Sequence, residues 1–534
     1  MIGSEAIVKC LEKENVTKVF GYPGVPVVPL YEALRTSSID HILVRHEQAA
    51  GHSASGYARS TRSIGVCIGT SGPGATNLIT AIATAYMDSI PLVVITGQIE
   101  SNLIGKDIFQ EADTIGATAS FTKHNYLIKD VNDIPRIFKE AFYIAGSGRK
   151  GPVLIDIPLD IQKMEINFEY PEEANIRGYK PTTEGHKLQI QRAIHRIEKS
   201  KKPLVCIGGG IISANAEDEL KEFINKSHIP VVHTLMAKDG INSNSNYYIG
   251  LIGTHGKAHA NKAVKEADLI ILIGTRVADR ATGGSTFAKN ADLIHIDIDP
   301  AEIGKNLGTS IPLVGDSKYI LQEINKDIKV IDTEDWIKEI NLNKRESPNF
   351  GMNDYVCPKF ALNLISDMIE DDAIITTDVG QNQIWTAHHF HIYGERRFLT
   401  SGGLGTMGYS IPSAVGAKIG NPDKRVVAIC GDGGFQMCMF ELGTILANNL
   451  DIIILLFENG VLGMVNEFQN KVYKATNGID LIKNPDFIKL AEAYNIKGRK
   501  VYENSQLKDV IHEAMNTEGS FLINCLVSKD QKTL

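Results

Sequence analysis

The stretch RVVAICGDGG (425–434), followed after one helical segment by IIILLFENGVLGMV (452–465), decides how this chain folds. The run 426–430 is apolar and rich in β-branched residues, as in a strand buried on both faces. It stops at Gly431-Asp432-Gly433, where glycine permits close backbone approach around one carboxylate. A helix is expected over 436–448, then a second buried strand over 452–457 that ends at Asn459. Ligands of a parallel sheet gather beyond the carboxyl ends of its strands, so this layout turns Asp432 and Asn459 towards one pocket. A carboxylate and an amide beside glycine N–H groups and a helix N-terminus suit Mg²⁺ holding a diphosphate. A Gly-Asp-Gly turn alone occurs in many tight βα connections. The asparagine at a second strand end gives the pattern its specificity.

The same alternation runs through the chain. From 1 to about 165 the apolar runs KVFGYPG, HILVRHE, SIGVCIGTSGPG, IPLVVITGQ and PVLIDIP alternate with helical segments. A second set (PLVCIGGG, IPVVHTL, DLIILIGTR, DLIHIDIDP, IPLVGD) occupies 185–330, and a third fills 357–534. Strand–helix alternation of this kind predicts an α/β chain of three doubly wound parallel-sheet domains. Polar spans at 163–185 and 326–357 read as connectors, and no internal repeat shows. The 534 residues carry a net charge of −8 and no Lys/Arg-rich block, which argues against nucleic-acid or anionic-membrane binding. Seven scattered cysteines without a CxxC predict buried, reduced thiols and a cytoplasmic setting. No apolar run has membrane-spanning length, and the first residues read as an amphipathic helix and not a signal peptide.

In the first domain Glu47 follows a strand and opens an alanine-rich helix, and GTSGPGATNL (69–78) forms a glycine loop leading into another. At this point the chain resembles the acetohydroxyacid synthase (acetolactate synthase) catalytic subunits of the thiamine-diphosphate superfamily. The likeness rests on VFGYPG, RHEQAAGHSASGYAR, GTSGPGATNLITAIATAYMDSIPLVVITGQ, FQEAD, TKHN, GRKGPVLIDIP, GLIGTHG, IHIDIDPAEIGKN, TTDVGQNQIW, TSGGLGTMGY, GDGGFQM and ENGVLGMV, which span almost the whole chain.

The resemblance implies thiamine diphosphate, Mg²⁺ and FAD as cofactors, and a carboligation in which pyruvate is decarboxylated and its two-carbon unit passes to a second 2-ketoacid. It makes Glu47 the acid against the cofactor's aminopyrimidine, with Phe109, Gln110 and Lys123 on the substrate side. A cation or amide there suits a 2-ketoacid carboxylate, although Lys123 reads equally well as a solvated helix end. Pro23, Gly24, Pro73, Asn77, Gly380, Gln381, Asn382, Gly405, Met407, Gly431, Gly433, Gly434, Leu462, Gly463 and Met464 would hold the thiamine cofactor, and Asp432, Asn459 and the Val461 carbonyl the metal. The flavin positions would be Arg149, Gly209, Gly210, Thr234, Leu235, Gly253, His255, Gly274, Arg276, Arg280, Asp297 and Asp316. Subunits would pair as a homodimer or homotetramer across a shared active site, with a small regulatory subunit as a further partner.

Three departures bear on selectivity. The family's GYPGGA reads here as GYPG followed by Val25 and Pro26, its tryptophan after GMV is Phe468, and its RFDDR pattern is Arg276-Val277-Ala278-Asp279-Arg280. The tail SFLINCLVSKDQKTL is also shorter than the family's. These changes leave open a related carboligase or lyase that uses a keto-sugar or aldehyde acceptor. A pyruvate oxidase-type flavoenzyme is a second rival, and a non-catalytic paralogue a third. The intact Glu47, Asp432 and Asn459 oppose the paralogue.

Overall fold

The structure, a computed structural model, describes residues 1–283, 287–344 and 355–534. It contains three six-stranded sheets. The first holds β1 (Lys18–Gly21), β2 (Asp40–Leu43), β3 (Gly65–Gly69), β4 (Leu92–Gln98), β5 (His124–Leu127) and β6 (Pro152–Pro158), in the order β2-β1-β3-β4-β6-β5. The second holds β7 (Pro203–Ile207), β8 (Val231–His233), β9 (Tyr248–Leu251), β10 (Leu269–Ile273), β11 (Asp292–Asp297) and β12 (Ile311–Val314), in the order β12-β11-β10-β7-β8-β9. The third holds β13 (Ile374–Thr377), β14 (Arg397–Thr400), β15 (Val426–Gly431), β16 (Ile453–Glu458), β17 (Lys497–Val501) and β18 (Phe521–Leu526), in the order β14-β13-β15-β16-β18-β17. The ladders are parallel, as in β1–β3, β7–β10 and β13–β15. Buried aliphatic clusters cover both faces of each sheet, the requirement that near-continuous apolar strands impose.

Strand order places the sites. In each sheet the chain winds one way and then reverses, so the crevice falls between β1 and β3, β7 and β10, and β13 and β15. The first and third sheets share one topology, a likeness invisible to a search for sequence repeats.

Several expectations need correction. The helix expected over 436–448 starts earlier and is broken. Asp432–Gln436 is helical, Met439–Glu441 forms a 3₁₀ turn, and Leu442–Ala447 completes the segment. Starting the helix at Asp432 brings its N-terminus directly against the carboxylate. The span 163–185 is polar in composition yet strapped down, with Ile166 buried and Phe168, Tyr170, Ile176 and Tyr179 packed on the first core. Within 326–357, Glu334–Leu342 is a helix that buries Trp336 and Ile340 in the second domain, while 345–354 lie outside the described residues. Lys123-His124-Asn125 is no helix end, because β5 begins at His124. The seven cysteines are all buried and free.

Candidate active site

Asp432 sits at the end of β15 and is 2% exposed. Its Oδ2 accepts from the Gly460 N–H (2.7 Å) and from Asn484 Nδ2 (2.8 Å), and its Oδ1 from the Gly433 N–H (3.1 Å). Burial raises the Asp432 pKa, and these donors pull against that shift. Beyond β16, Asn459 Oδ1 accepts from the Val461 N–H (3.2 Å) and its Nδ2 donates to Gln381 Oε1 (3.0 Å). Gln381 opens the helix Gln381–His389, and its Nε2 donates to Glu467 Oε1 (2.7 Å) and the Gln531 carbonyl (2.8 Å). One network therefore joins strand ends β13, β15 and β16.

The space around it is lined by glycine. Gly380 (φ +132°) and Gly405 (φ +76°) have backbones that side chains disfavour, and nothing lies within 4 Å of a Cβ added at Gly405. A Cβ on Gly433 would meet Leu462 Cδ2 at 2.9 Å and Met407 Cε at 3.4 Å. On Gly434 it would meet Asp378 Oδ1 at 2.4 Å, and on Gly463 Gln381 Oε1 at 1.8 Å. The Asn382 amide lies 3.4 Å from where such a Cβ would stand on Gly380 or Gly431, and its Oδ1 is buried without a partner. Met464 follows in the helix Gly463–Tyr473. An open glycine cradle, an orphaned buried amide oxygen and oxygen ligands at the rim fit a Mg²⁺-bound diphosphate. Among the described residues no cluster of three or more His, Cys, Asp or Glu side chains forms a metal site. A site built from one carboxylate, one amide and one carbonyl leaves its remaining positions to phosphate oxygens and water.

The loop carrying Met407 is held by Asp378. This carboxylate is 0% exposed and accepts from the N–H groups of Val379 (2.8 Å), Gly408 (3.0 Å) and Ser410 (3.2 Å). Burial pushes its pKa up to about 6.

The first sheet supplies the second half of the chemistry. Glu47 is the first residue of the helix Glu47–Thr61, behind the N-cap His46, whose Nδ1 accepts from the Gln48 N–H (3.1 Å). The Glu47 carboxylate is half-buried and accepts from Asn77 Nδ2 (2.9 Å), on the helix Pro73–Asp88. Thr70 Oγ1 and Ser71 Oγ, at the end of β3, are buried without partners. A Cβ on Gly24 would lie 2.4 Å from Thr70 Oγ1, which brings the Pro23-Gly24 turn onto the same wall. Gln110 is in the left-handed region (φ +63°), and its backbone lies 2.9 Å from where a Cβ on Gly72 would stand. Phe109 is 85% exposed. Gln98 Nε2 holds this loop by donating to the Ala112 carbonyl (3.0 Å) and to Asp156 Oδ2 (3.0 Å).

Lys123 is not brought to this cluster. Its Nζ donates to the carbonyls of Ile144 and Ser147 (2.8 Å) and to Tyr179 Oη (2.9 Å), so it closes the end of the helix Ile134–Gly146. Burial lowers its pKa to about 8.

In the central sheet Gly208, Gly209 and Gly210 follow β7 and Gly274 follows β10, on the two sides of the crevice. A Cβ on Gly210 would stand 2.5 Å from the Gly274 Cα, so the two turns touch backbone to backbone. Thr234 and Leu235 lie past β8, Gly253 (φ +103°) and His255 past β9, and Asp297 ends β11. Burial raises the Asp297 pKa to about 6 and lowers that of Arg276. Two expected flavin contacts have other partners. The Arg149 guanidinium bonds Glu302 (2.9 Å) and Asp299 (3.3 Å), and Asp316 caps the helix Ser317–Asp327 by accepting from the Lys318 N–H (2.8 Å). Arg280 is exposed beside Asp279.

Asn484, Asp378, Thr70 and Ser71 escaped the sequence reading. Asp378 could have been found in TTDVG, as an acid directly after a buried strand. Asn484 lies far from Gly-Asp-Gly, and no pattern links them. The end of the chain also packs at the site: Lys532 accepts from Trp385 Nε1 (2.9 Å), and Thr533 N–H and Oγ1 donate to Glu467 (2.7 Å each).

These sheets and strand-end clusters define a thiamine-pyrophosphate enzyme. Profiles described as the N-terminal TPP binding, central, and C-terminal TPP binding domains of thiamine pyrophosphate enzymes match residues 1–117, 190–324 and 378–525. The chain is 45% identical to the probable acetolactate synthase large subunit of Methanococcus aeolicus, over 98% of this chain and 92% of that protein. It is likewise 45% identical to that of Methanocaldococcus jannaschii (99% and 92%), and 43% identical to the acetolactate synthase large subunit of Corynebacterium glutamicum (99% and 87%). The chain belongs to the acetolactate synthase large-subunit family.

Proposed function

We propose that this chain is a thiamine-diphosphate-dependent carboligase. It decarboxylates pyruvate and transfers the two-carbon unit to a second 2-ketoacid, giving a 2-acetolactate-type product for branched-chain amino acid synthesis. The observation that carries this reading is the pair of complementary strand-end clusters, a half-buried Glu47 held by Asn77 and a glycine cradle around Asp432 and Asn459.

When bound, thiamine diphosphate supplies the electron sink that decarboxylation of a 2-ketoacid needs. Asp432, Asn459 and the Val461 carbonyl would hold Mg²⁺ and through it the diphosphate, while Gly380, Gly405, Gly431, Gly433 and Gly434 let the backbone approach it. Glu47 would exchange a proton with the aminopyrimidine ring, and its Asn77 bond fixes the carboxylate for that transfer. Met407 and Leu462, which both approach Gly433, would form the apolar wall, with Met464 just beyond along the chain. Phe109 and Gln110 border the acceptor, and Gln110 offers an amide to a ketoacid carboxylate. Lys123 takes no part in this scheme, because its protons are engaged elsewhere.

The two clusters serve one site when the first domain of one subunit faces the third domain of another. Exposed apolar residues flank both clusters, Tyr22, Val25 and Phe109 on one and Met437, Phe468 and Tyr473 on the other, as surfaces that pack in a homo-oligomer do. The large-subunit names of the relatives support a small regulatory partner. FAD fits the central crevice, where glycine turns meet at the reversal of strand order. No helix among the described residues is long and apolar enough to cross a membrane.

The test is product analysis of the purified protein with pyruvate, thiamine diphosphate and Mg²⁺. CO₂ and acetolactate from pyruvate alone are expected. Pyruvate consumed only after an aldehyde or keto-sugar is added would transfer the assignment to the altered-acceptor reading that Val25 (72% exposed) and Phe468 (61% exposed) keep open. Absorbance of the small molecules released on denaturation reports FAD.

A further inference from the structure

A cavity of about 320 Å³ between the central and third domains contains none of the residues assigned above. Lys238, Lys257, Lys344, His388 and His391 line it, with hydroxyl and amide groups from Ser243, Asn246 and Tyr248, and no carboxylate among its described lining residues, although His391 Nδ1 lies 3.7 Å from the Asp367 carboxylate behind it. Lys238 is 2% exposed. Its Nζ lies 3.4 Å from Tyr248 Oη and 5.6 Å from the centre of that ring, and no described carboxylate pairs with it. The neighbouring Asp239 carboxylate is turned to the Phe398 N–H (3.2 Å). Neither Lys257 nor Lys344 has an ion pair among the described residues. His388 Nε2 donates to the His255 carbonyl (2.6 Å), so the ring is fixed in place.

A buried ammonium without a counter-charge is costly, and gathering like charges around it adds to the cost. Burial is the main cause lowering the pKa of Lys238, to about 7, and of Lys257, and the neighbouring lysines add to it. Charge-assisted bonds to a compact anion would offset both effects.

We propose that this cavity binds a small, multiply charged anion of the phosphate class, either free phosphate or the phosphate group of a small metabolite. The wall has the required chemistry: three lysines, His391 and neutral hydroxyl and amide groups border a space with room for one such group and a small organic remainder, while His388, its Nε2–H given to the His255 carbonyl, shapes the wall.

Calorimetric titration of the full-length protein, saturated with thiamine diphosphate and Mg²⁺ so that the diphosphate site is filled, tests this at constant ionic strength. The probes are inorganic phosphate and glycerol 3-phosphate. Saturable binding of phosphate is expected, weakened about tenfold or more in Lys238→Met or Lys257→Gln. Tighter binding of glycerol 3-phosphate would point to a phosphorylated metabolite, and equal or weaker binding to free phosphate. Lys238→Met keeps the apolar stem and removes a buried charge, so the fold is spared, and circular dichroism checks both variants. Absence of saturable binding to the wild type, or affinity unchanged in both variants, overturns the proposal.

Discussion

Glu47 shows how a single side chain acquires a role from its surroundings. An acid in the first turn of a helix is ordinary, but here Asn77 holds it beside two buried hydroxyls that lack partners. Glu47→Gln keeps the shape and the Asn77 contact while removing the exchangeable proton. Turnover of pyruvate should fall by roughly 10²–10⁴-fold with cofactor affinity little changed, and an undiminished rate would remove Glu47 from the mechanism. Asn484 makes a subtler case, since it touches the Asp432 carboxylate and not the ion's expected position. Asn484→Ala should weaken Mg²⁺ affinity roughly 10-fold or more, read from the activation curve in Mg²⁺, with the melting temperature nearly unchanged. Asp432 and Asn459 could be singled out because each stands just past an apolar run, while the role given to Glu47 came with the resemblance. Asn484 could not be, since the chain reaches the site there through tertiary proximity alone, whereas Asp378, directly after β13, carried the same local signal as Asp432 and was passed over. The resemblance places Lys123 on the substrate side, with a helix end weighed equally against it. In the fold its ammonium terminates a helix.

Among the elements, β4 and β6 carry a buried pair that should make stability depend on pH. Asp156 accepts from Thr96 Oγ1 (2.7 Å) and Gln98 Nε2 (3.0 Å), and burial pushes its pKa up to about 7. The native state therefore holds this proton to higher pH than the unfolded chain does. The stability it contributes is intact below about pH 4 and is lost as pH rises through about 7. Asparagine mimics the protonated acid at all pH values. Asp156→Asn should gain about 3 kcal/mol relative to wild type between pH 5 and pH 8, followed by denaturant unfolding, and a pH-independent difference would refute this. A second device is the crossing of helix Glu47–Thr61 with helix Ser410–Gly420, the tie between the first and third domains. A Cβ on Gly416 would stand 1.8 Å from the Ser53 carbonyl, and one on Gly56 2.0 Å from that of Ser413. Arg59 Nη1 locks the crossing by donating to the Thr400 carbonyl (2.7 Å). Gly416→Val forces the two backbones apart, so a loss on the order of 3 kcal/mol or more is expected in thermal unfolding. Strand existence was largely legible from apolar runs, but β5, β9, β14 and β17 were passed over, and β18 was read only as part of the tail although it is a buried strand between β16 and β17. The first four carry polar or glycine positions, and β5 and β17, at sheet edges, are only partly buried.

At the scale of the whole molecule, the proposed function divides one active site between two chains. Glu47→Gln and Asp432→Ala should each be inactive alone. When they are dissociated, mixed and re-associated, half of the dimers are mixed, and each mixed dimer rebuilds one intact site of its two. Roughly a quarter of wild-type activity should therefore return, whereas a site contained within one chain would stay silent. The sequence by itself determined the class of sheet, the three-domain alternation and the acids and amides at strand ends. Apolar periodicity and glycine punctuation are local properties that the chain carries with it. Only the tertiary structure decided where strand order reverses, which buried polar atoms lack partners, that Lys123 closes a helix, and that five cationic or imidazole side chains from separate segments meet in one cavity. Those outcomes depend on contacts between residues distant in the chain, and no local pattern encodes them.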